Sequence, residues 1–415
     1  MTDIERQGLA AKKAATVLMT AGTQAKNAAL FAIAQALEEN EAQILAANDK
    51  DMALAKENGM KPALKDRLRL DAQRIRAMAD GVREVAALRD PIGRVENMET
   101  RPSGIVIGRK TVPLGVIAII YEARPNVTVD AAVLCLKAGN AVILRGGKEA
   151  FHSNNALTNI MRAAICEAGL PEDSVSLVQD TTRESVNAIL SLTDCVDVLI
   201  PRGGAGLISH VIENAKVPVI QTGVGNCHVY VEKSADLDMA ANIIYNAKCS
   251  RPSVCNAAET LLVDEGIAAA FLPKAKALLD QKNTQLRGCD KTKALLGESV
   301  VPATEEDYYT EFGDYILAVK VVSGLEEAIA HINKYGTGHS EAIVTENYSA
   351  SQRFLSEIDA AAVYVNASTR FTDGGEFGLG AEIGISTQKM HARGPMGLEQ
   401  LTTTKFIIYG SGQVR

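Results

Sequence analysis

The stretch Val116-Ile117-Ala118-Ile119-Ile120 is apolar at every position and rich in β-branched residues. A strand of a parallel sheet is covered on both faces, so its sequence is apolar throughout and does not alternate with polar residues. The pattern of residues 126–137 indicates a helix, which Gly139-Asn140 ends by supplying residues that tolerate positive φ. A second apolar run, Ala141-Val142-Ile143-Leu144, then follows. Together these segments predict a strand–helix–strand unit of a parallel sheet.

Apolar runs separated by helical patterns recur along most of the chain. Residues 3–89 have helical periodicity, and further strands are expected at the apolar segments 175–178, 196–200, 217–220, 228–231, 261–263, 316–322, 342–344 and 362–365. Strands that alternate with helices are typical of doubly wound α/β domains. The predicted fold class is α/β, with one doubly wound domain over residues 1–228 and a second over residues 229–395.

Two further segments alternate between apolar and polar residues and are expected to form half-exposed strands. One is residues 101–110, and the other is the C-terminal stretch Lys405-Phe406-Ile407-Ile408-Tyr409. They pair either with each other or with another subunit. Residues 396–415 are therefore expected to return to the first domain or to form an oligomerisation strand, and residues 101–113 are a candidate for the same element.

The composition narrows the classes of protein and partner. A chain of 415 residues is too long for one core and is expected to form two or three domains. Its net charge of −7 gives no attraction to nucleic acid or to an anionic membrane, and no apolar run reaches the ~18 residues of a membrane span. The N-terminus lacks the pattern of a signal peptide, and the seven cysteines are scattered without CxxC spacing. Disulfides and structural zinc are therefore not expected, and the cytoplasm is the expected location.

Cys249 and Cys255 lie six residues apart in the segment Lys248–Thr260, which is rich in small residues. A thiol acts as a nucleophile only as a thiolate, and a nearby cation favours that form. Lys248 and Arg251 offer such a cation. From these residues alone, a nucleophilic cysteine and a buried structural cysteine both remain open, because free cysteine is among the most buried residue types.

Several motifs occur in an order that resembles the aldehyde dehydrogenase superfamily from about residue 112 to the C-terminus. They are Pro113-Leu114-Gly115-Val116, Pro125-Asn126, the run Gly139–Arg145, a glycine-rich turn and Cys255. The stretch Val322–Ile343, together with Tyr121–Asn126 and the chain length, is similar to the signature of the γ-glutamyl phosphate reductase family within it. The resemblance implies an aldehyde dehydrogenase-like fold with a cofactor domain, a catalytic domain and a β-hairpin oligomerisation element.

The resemblance also implies an activity. Members of that family use NADPH to reduce L-glutamyl 5-phosphate to L-glutamate 5-semialdehyde and phosphate, the second step of proline biosynthesis, through a cysteine thioester. The expected partners are the small-molecule substrate, further copies of the chain in a homo-oligomer and, transiently, glutamate 5-kinase, which makes the labile acyl phosphate. Neither nucleic acid nor a membrane is expected as a partner.

The position of Cys255 matches that of the family's catalytic thiol, whereas Cys249 is expected to be structural. A thiolate that attacks an acyl phosphate generates a tetrahedral oxyanion, which needs preorganised hydrogen-bond donors. By resemblance, these donors are the side-chain amide of Asn126 and the backbone N–H of Cys255. The alternative for Asn126 is a plain turn residue after Pro125.

The turn Arg145-Gly146-Gly147-Lys148 stands where many superfamily members carry an acidic residue that holds ribose hydroxyls. A carboxylate repels a 2′-phosphate, whereas a guanidinium and an ammonium attract it, so Arg145 and Lys148 are expected to select NADPH. Gly203, Gly204 and Gly206 follow a strand and precede a helix, as in a turn that holds a phosphate. A solvated basic turn and a plain tight turn are the respective alternatives.

Three groups of residues are candidates for the remaining contacts. Glu311 lies in a stretch that matches only in part the superfamily motif for the nicotinamide ribose. Arg251 is a candidate for stabilising the phosphate or the thiolate, with a structural ion pair as its alternative. Ser368 and Arg370 lie in the expected substrate loop and are candidates for holding the α-carboxylate. No metal constellation is present, and the sequence assigns no role to His339.

The segment Thr222-Gly223-Val224-Gly225 stands where hydrolytic aldehyde dehydrogenases carry the glutamate that activates the deacylating water. Without that base, water attacks a thioester slowly, and hydride or phosphate reacts first. An acyl-phosphate reductase is therefore the first expectation. A hydrolytic NAD(P)-dependent aldehyde dehydrogenase and a non-catalytic scaffold on the same fold are the alternatives.

Overall fold

The computed structural model describes the backbone of residues 1–415 and the side chains of all of them but Ala63. Met1–Thr222, Gly378–Gly384 and Met396–Arg415 form unit 1, and Gly223–Phe377 and Ile385–Pro395 form unit 2. The expected assignment of cofactor binding to residues 1–228 and of catalysis to residues 229–395 remains a prediction.

Unit 1 begins with a helical region, as the periodicity of residues 3–89 predicts. Its helices are α1 (Asp3–Leu18), α2 (Thr23–Glu39), α3 (Glu41–Glu57), α4 (Pro62–Leu68), α5 (Ala72–Ala87), α6 (Pro125–Lys137), α7 (Phe151–Glu167), α8 (Arg183–Leu190) and α9 (Ala205–Asn214). Its strands up to residue 222 are β1 (Val95–Thr100), β2 (Val106–Pro113), β3 (Val116–Tyr121), β4 (Ala141–Arg145), β5 (Val175–Leu177) and β6 (Val198–Arg202).

The apolar run that starts at Val116 forms β3, which lies inside a parallel sheet of order β5-β4-β3-β6. Every residue of β3 is buried, as expected for a strand covered on both faces. Gly139 follows α6 with a φ of 77°, which confirms that it ends the helix in a left-handed conformation. The expected strand at residues 217–220 is reduced to a single bridge between Leu199 and Val219, and Pro218 has no N–H with which to extend the ladder.

The two alternating segments pair with each other. The C-terminal strand β16 (Thr402–Tyr409) runs antiparallel to β2 with Lys405 opposite Lys110, and β1 pairs with the other edge of β2. This three-stranded sheet confirms the first of the two pairings expected from the sequence. The side chains of Phe406, Ile408 and Tyr409 are exposed on it.

Unit 2 contains strands β7 (Cys227–Val231), β8 (Ala258–Asp264), β9 (Gln285–Gly288), β10 (Val301–Pro302), β11 (Ile316–Val322), β12 (Ser340–Val344), β13 (Ala362–Val365), β14 (Ile385–Ser386) and β15 (Gly394–Pro395). Its helices are α10 (Leu237–Cys249), α11 (Glu265–Leu279), α12 (Asp290–Leu296), α13 (Leu325–Tyr335) and α14 (Tyr348–Glu357). A parallel sheet of order β10-β9-β11-β8-β7-β12-β13 forms its centre. Apolar clusters cover both of its faces, around Phe271 and around Phe354.

The two parallel sheets and their covering helices confirm the predicted α/β fold class. Among the residues that the structure describes, no helix combines the length and the apolar character needed to cross a bilayer.

Candidate active site

Cys255 lies in the loop that connects the end of α10 to the start of β8, and we call residues 250–257 the nucleophile loop. Its side chain is partly buried. The thiol of Cys227, on β7, donates to the Cys255 carbonyl oxygen at 3.2 Å. Gly225 also lies against this carbonyl, because a Cβ built on Gly225 would come within 1.5 Å of its oxygen. The carbonyl of Cys255 is therefore held closely, and position 225 has room for glycine alone.

Asn256 ties the nucleophile loop to the predicted substrate loop. Its amide nitrogen donates to the carbonyl oxygens of Arg370 and Thr372 at 3.2 and 2.9 Å, and the Thr369 hydroxyl donates to the Asn256 carbonyl at 2.7 Å. Asn256 is buried, so these bonds are shielded from competing water. Asn256, the residue after Cys255, thus holds residues 369–372 close to the nucleophile loop.

The Arg370 guanidinium donates to the Asn256 side-chain oxygen and, at 3.1 Å, to the Ser250 hydroxyl. Burial lowers its pKa, repulsion from Arg251 lowers it further, and Asp373 and Cys255 act in the opposite direction. Unit 2 therefore brings Arg251, Arg370 and Cys255 together.

Ser368 contributes structurally. Its hydroxyl accepts the Arg370 backbone N–H at 3.3 Å as the cap of a short 3-10 helix, Thr369–Phe371.

Lys248 does not serve as the thiolate's cation, contrary to the expectation from its position. Its ammonium is fully buried and lies 2.6 Å from the Glu259 carboxylate, which is also fully buried. Burial raises the pKa of Glu259 to about 7, with a smaller contribution from Glu311, while Lys248 and the Gly313 N–H act in the opposite direction. Arg251 is then the cation of this segment that remains exposed near Cys255.

Glu311 accepts the backbone N–H of Gly225 at 3.2 Å, so this carboxylate lies in the same part of unit 2 as the nucleophile loop. His339 lies beside Cys227: its Nδ1 is 3.7 Å from the Cys227 sulfur and 2.8 Å from the Ser340 hydroxyl. Burial raises the pKa of Cys227, which remains a thiol and acts as a hydrogen-bond donor. Cys227 is a contributor that sequence reasoning missed, since a cysteine that opens an apolar strand has no distinguishing pattern.

In unit 1, Asn126 occupies the second position of α6, and its side chain is exposed. Its amide nitrogen donates to the Asp130 carboxylate at 3.1 Å, one helical turn further along. Burial raises the pKa of Asp130 to about 6, while Asn126 and Arg202 act in the opposite direction. This bond fixes which way the Asn126 amide points. Asp130 was also missed from the sequence, although its spacing of four residues from Asn126 was a usable signal.

Arg145 and Lys148 differ in the hydrogen bonds that their side chains make within the protein and in their exposure. The Arg145 guanidinium donates to the carbonyl oxygens of Thr181 and Thr182 at 2.6 and 2.9 Å, and burial lowers its pKa. Lys148 begins a short 3-10 helix, Lys148–Ala150, and its side chain is exposed. The ammonium is therefore the more accessible cation of this turn.

Gly203 and Gly204 immediately precede α9, as the sequence indicates. The Gly204 N–H donates to the Glu122 carboxylate at 3.2 Å, and a Cβ built on Gly203 would come within 2.8 Å of the same carboxyl group. A Cβ on Gly206 would meet open space. An anionic group thus already occupies the start of α9, where the glycine-rich turn predicts a phosphate. Glu122 was not foreseen, because its contact is 82 residues distant along the chain.

Among the described residues, no group of three or more histidine, cysteine or acidic side chains is arranged to hold a metal ion. The seven cysteines are all thiols.

The chain belongs to the aldehyde dehydrogenase family, whose model matches residues 1–293 and 308–407. A curated relative from Moorella thermoacetica, named gamma-glutamyl phosphate reductase, is 62% identical over 413 residues, which cover 100% of this chain and 99% of that protein. A relative of the same name from Carboxydothermus hydrogenoformans is 62% identical over 98% of this chain and 97% of its own. Within the wider family, the chain is therefore a member of the γ-glutamyl phosphate reductases, as the motifs suggest.

Solved structures agree with this assignment. The crystal structure of gamma-glutamyl phosphate reductase from Thermotoga maritima matches with a TM-score of 0.96 at 51% identity, and the match covers 100% of both chains. An acetylating aldehyde dehydrogenase from Geobacillus thermoglucosidasius matches with a TM-score of 0.74 at 19% identity, which shows a shared fold. The aldehyde dehydrogenase-like fold predicted from the sequence is confirmed.

Proposed function

We propose that this chain reduces L-glutamyl 5-phosphate to L-glutamate 5-semialdehyde and phosphate, with NADPH as reductant, in the second step of proline biosynthesis. The observation that carries this proposal is its identity of 62% with gamma-glutamyl phosphate reductases over the full length. The arrangement in unit 2 supports it, because a thiol beside two guanidinium groups suits an acyl substrate with an anionic leaving group.

The proposed first step uses Cys255 as the nucleophile. Its thiolate attacks the acyl carbon, a C–S bond forms, and the carbonyl oxygen becomes an oxyanion. The donors assigned to that oxyanion are the Cys255 backbone N–H and, from the family resemblance, the Asn126 amide. Collapse of the tetrahedral species breaks the C–O bond to phosphate and leaves a thioester on Cys255.

Arg251 and Arg370 are the proposed partners of the substrate's anionic groups. The repulsion between these two guanidiniums that lowers the Arg370 pKa would be relieved by a phosphoryl group or a carboxylate bound near both. Ser368 supports Arg370 through the backbone and is proposed to line the same site.

The residues of unit 1 fit a phosphorylated dinucleotide. Lys148 presents an exposed ammonium, and Gly203 and Gly204 place a backbone donor at the start of α9, which suits a phosphate. Arg145 is proposed to hold the shape of its turn through Thr181 and Thr182 while adding positive charge for a 2′-phosphate. Glu311 is the proposed ribose ligand in unit 2. When bound, NADPH would supply the hydride that adds to the thioester carbonyl; breaking of the C–S bond then releases the aldehyde and returns Cys255 as the thiolate.

Hydrolysis of the thioester is disfavoured by the groups near Cys255. The segment Thr222-Gly223-Val224-Gly225, which stands where the general base is expected, has no carboxylate, and Gly225 lies against the Cys255 carbonyl. Of the nearby carboxylates, Glu259 is bound to Lys248, Glu311 accepts the Gly225 N–H, and Asp373 accepts the Gly375 N–H. With no carboxylate at the position of the general base, water is a poor competitor for the thioester.

A homo-oligomer, transient contact with glutamate 5-kinase and a cytoplasmic location complete the proposal. The exposed apolar side chains of Phe406, Ile408 and Tyr409 on the sheet of β1, β2 and β16 support an interface between copies of the chain. The family's place in amino-acid biosynthesis supports the other two.

One assay separates the proposed activity from the alternatives. The protein is incubated with glutamate 5-semialdehyde and NADP⁺, with and without inorganic phosphate, and NADPH is followed by absorbance. Strictly phosphate-dependent NADPH formation is the expected result. Phosphate-independent NADPH formation would instead identify a hydrolytic dehydrogenase. No NADPH formation in either sample would indicate a non-catalytic scaffold on the same fold.

A further inference from the structure

Lys248 and Glu259 flank the nucleophile loop and join its two ends. Lys248 lies in the last turn of α10 and Glu259 near the start of β8, eleven residues apart in the chain. Their side chains are fully buried, and the ammonium donates to one carboxylate oxygen at 2.6 Å. Because the bond closes the loop at its base, a shift of either end has to break or stretch a shielded ionic hydrogen bond.

The second oxygen of Glu259 reaches a different segment. It accepts the backbone N–H of Gly313 at 3.2 Å, two residues after Glu311. Glu311 in turn accepts the N–H of Gly225, whose backbone presses on Cys255. The carboxylate of Glu259 therefore connects the base of the nucleophile loop with the segment 311–313, and that segment returns to Cys255 through Gly225.

A stabilising role alone accounts poorly for this pair. Replacing a buried ion pair with packed apolar side chains is often neutral or favourable for stability, because two charges have been removed from water. What apolar side chains do not provide is a directional bond at each end of a loop. Neither Lys248 nor Glu259 is accessible to substrate, since both side chains are fully buried.

We propose that Lys248 and Glu259 are positioning residues for the reaction: together they hold the nucleophile loop and segment 311–313 in one relative arrangement, so that Cys255 Sγ meets the acyl carbon at the correct distance and angle. The proposal rests on the role of Cys255 in the proposed function. It concerns geometry, and no proton or electron moves through the pair.

The main test is the double variant Lys248→Met/Glu259→Gln, which removes both charges together. The glutamine oxygen can still accept the Gly313 N–H, so no lone buried charge remains and the Gly313 N–H stays paired, while the glutamine NH2 group faces the apolar side chain at position 248. We expect kcat to fall about 10- to 100-fold, the size of effect that a displacement of about 1 Å produces, while the KM for NADPH stays within about twofold. The matched control is Lys274→Met/Asp238→Asn, which removes an exposed pair of the same 2.6 Å length in the same unit and should leave kcat unchanged.

A second readout does not depend on the identity of the substrate. Alkylation of Cys255 by iodoacetamide is followed at its peptide by mass spectrometry, with the exposed Cys166 as the internal reference. The rate at Cys255 should change in the double variant, while the rate at Cys166 and the circular dichroism spectrum stay the same. If the assigned reaction were wrong, wild-type protein would fail the phosphate-dependence assay, yet the alkylation result would still test the pair.

Glu259→Asp covers the case in which the double variant does not fold. It keeps both charges and shortens the side chain by one methylene, which places the carboxylate too far back to bond both Lys248 and Gly313. A folded Asp variant with a lowered kcat supports the proposal. Wild-type kcat and alkylation rate in either folded variant, whatever the change in Tm, would show that the pair is structural and would overturn it.

Discussion

The nucleophile loop of unit 2 and the nucleotide turns of unit 1 are built in different ways. Buried contacts fix the loop: Asn256 ties it to the substrate loop, Gly225 presses on its backbone, and the Lys248–Glu259 pair closes its base. In unit 1, by contrast, Lys148 and Glu122 are exposed.

The difference follows from what each part has to do. A reacting sulfur must be held to within about half an ångström of its target, which requires packed side chains and shielded hydrogen bonds around it. Binding a flexible polyanion requires charge and a backbone donor, which solvated groups supply at modest energies each. Substitutions in the nucleophile loop should therefore abolish turnover, and substitutions in the turns should adjust affinity and preference.

The largest effect is expected for Cys255→Ser. A serine hydroxyl is far less ionised than a thiol at neutral pH, so kcat should fall by at least about 1,000-fold. Affinity for NADPH, measured by fluorescence titration, should stay close to that of the wild type, because the nucleotide is assigned to other residues. A folded Ser variant with near-normal turnover would contradict the assignment of the nucleophile.

Gly225→Ala should have the next largest effect. The added Cβ meets the Cys255 carbonyl at 1.5 Å, and since both atoms are bound to backbone, the loop itself has to move. We expect kcat to fall about 100-fold. Gly81→Ala is the matched control, because a Cβ on this glycine of α5 in unit 1 meets open space, and steady-state rates should show little change. Equal losses in the two variants would show that the close contact at Gly225 is not the cause.

The fold was predictable because a strand that is buried on both faces is apolar at every position, which can be recognised in the sequence. The apolar run of β3 and the glycine after α6 appear in the structure where expected. Strand β9, with the residues Gln285-Leu286-Arg287-Gly288, was not predicted, because half of its side chains are polar and its place depends on pairing with β11.

The site was predictable to a lesser degree. Local context alone left open whether Cys255 is a nucleophile or a structural cysteine, and its assignment as the nucleophile rests on the family motifs. Cys227 bonds the Cys255 carbonyl and Gly313 bonds the Glu259 carboxylate; both partners are distant in the chain, and no local pattern reveals them. Lys248 shows the same limit, because its proximity to Cys255 in sequence suggested a role that its bond to Glu259 excludes.

Lys148→Glu tests the charge of the nucleotide turns. A carboxylate in place of the exposed ammonium should repel a 2′-phosphate, so the ratio of kcat/KM for NADPH to that for NADH should fall about 10- to 100-fold. Arg145→Lys complements this variant. Because the Arg145 guanidinium donates to two carbonyl groups, its replacement should change the stability of the protein as well as the preference for NADPH. An unchanged ratio in Lys148→Glu would disprove the selection by this residue.

Asp130→Asn should change stability in a pH-dependent way. Since burial raises the pKa of Asp130 to about 6, the folded protein binds more protons than the unfolded chain between about pH 4 and pH 6. This carboxyl group therefore lowers stability as the pH rises through that window, whereas asparagine does not titrate and can still accept the Asn126 amide. The Tm of the variant relative to wild type should be higher at pH 7.5 than at pH 4.5, by about 2–4 °C. A difference in Tm that does not depend on pH would contradict the raised pKa.

The smallest effect is expected for Glu122→Gln. The Glu122 carboxylate accepts the Gly204 N–H at the start of α9, so a phosphate that binds there has to displace an anion as well as water. Glutamine keeps the size and an acceptor oxygen but removes the charge, and the Kd for NADPH should therefore fall about two- to fivefold at low salt, with a smaller gain at high salt. Glu149→Gln, which neutralises the acidic residue after Lys148 in the short helix Lys148–Ala150, is the control for a general change in charge. Weaker binding by Glu122→Gln would instead show that the carboxylate is itself a ligand of the nucleotide. Glu122 would then be a required part of its site, like the buried contacts of the nucleophile loop, and the contrast between the two regions would not hold for this residue.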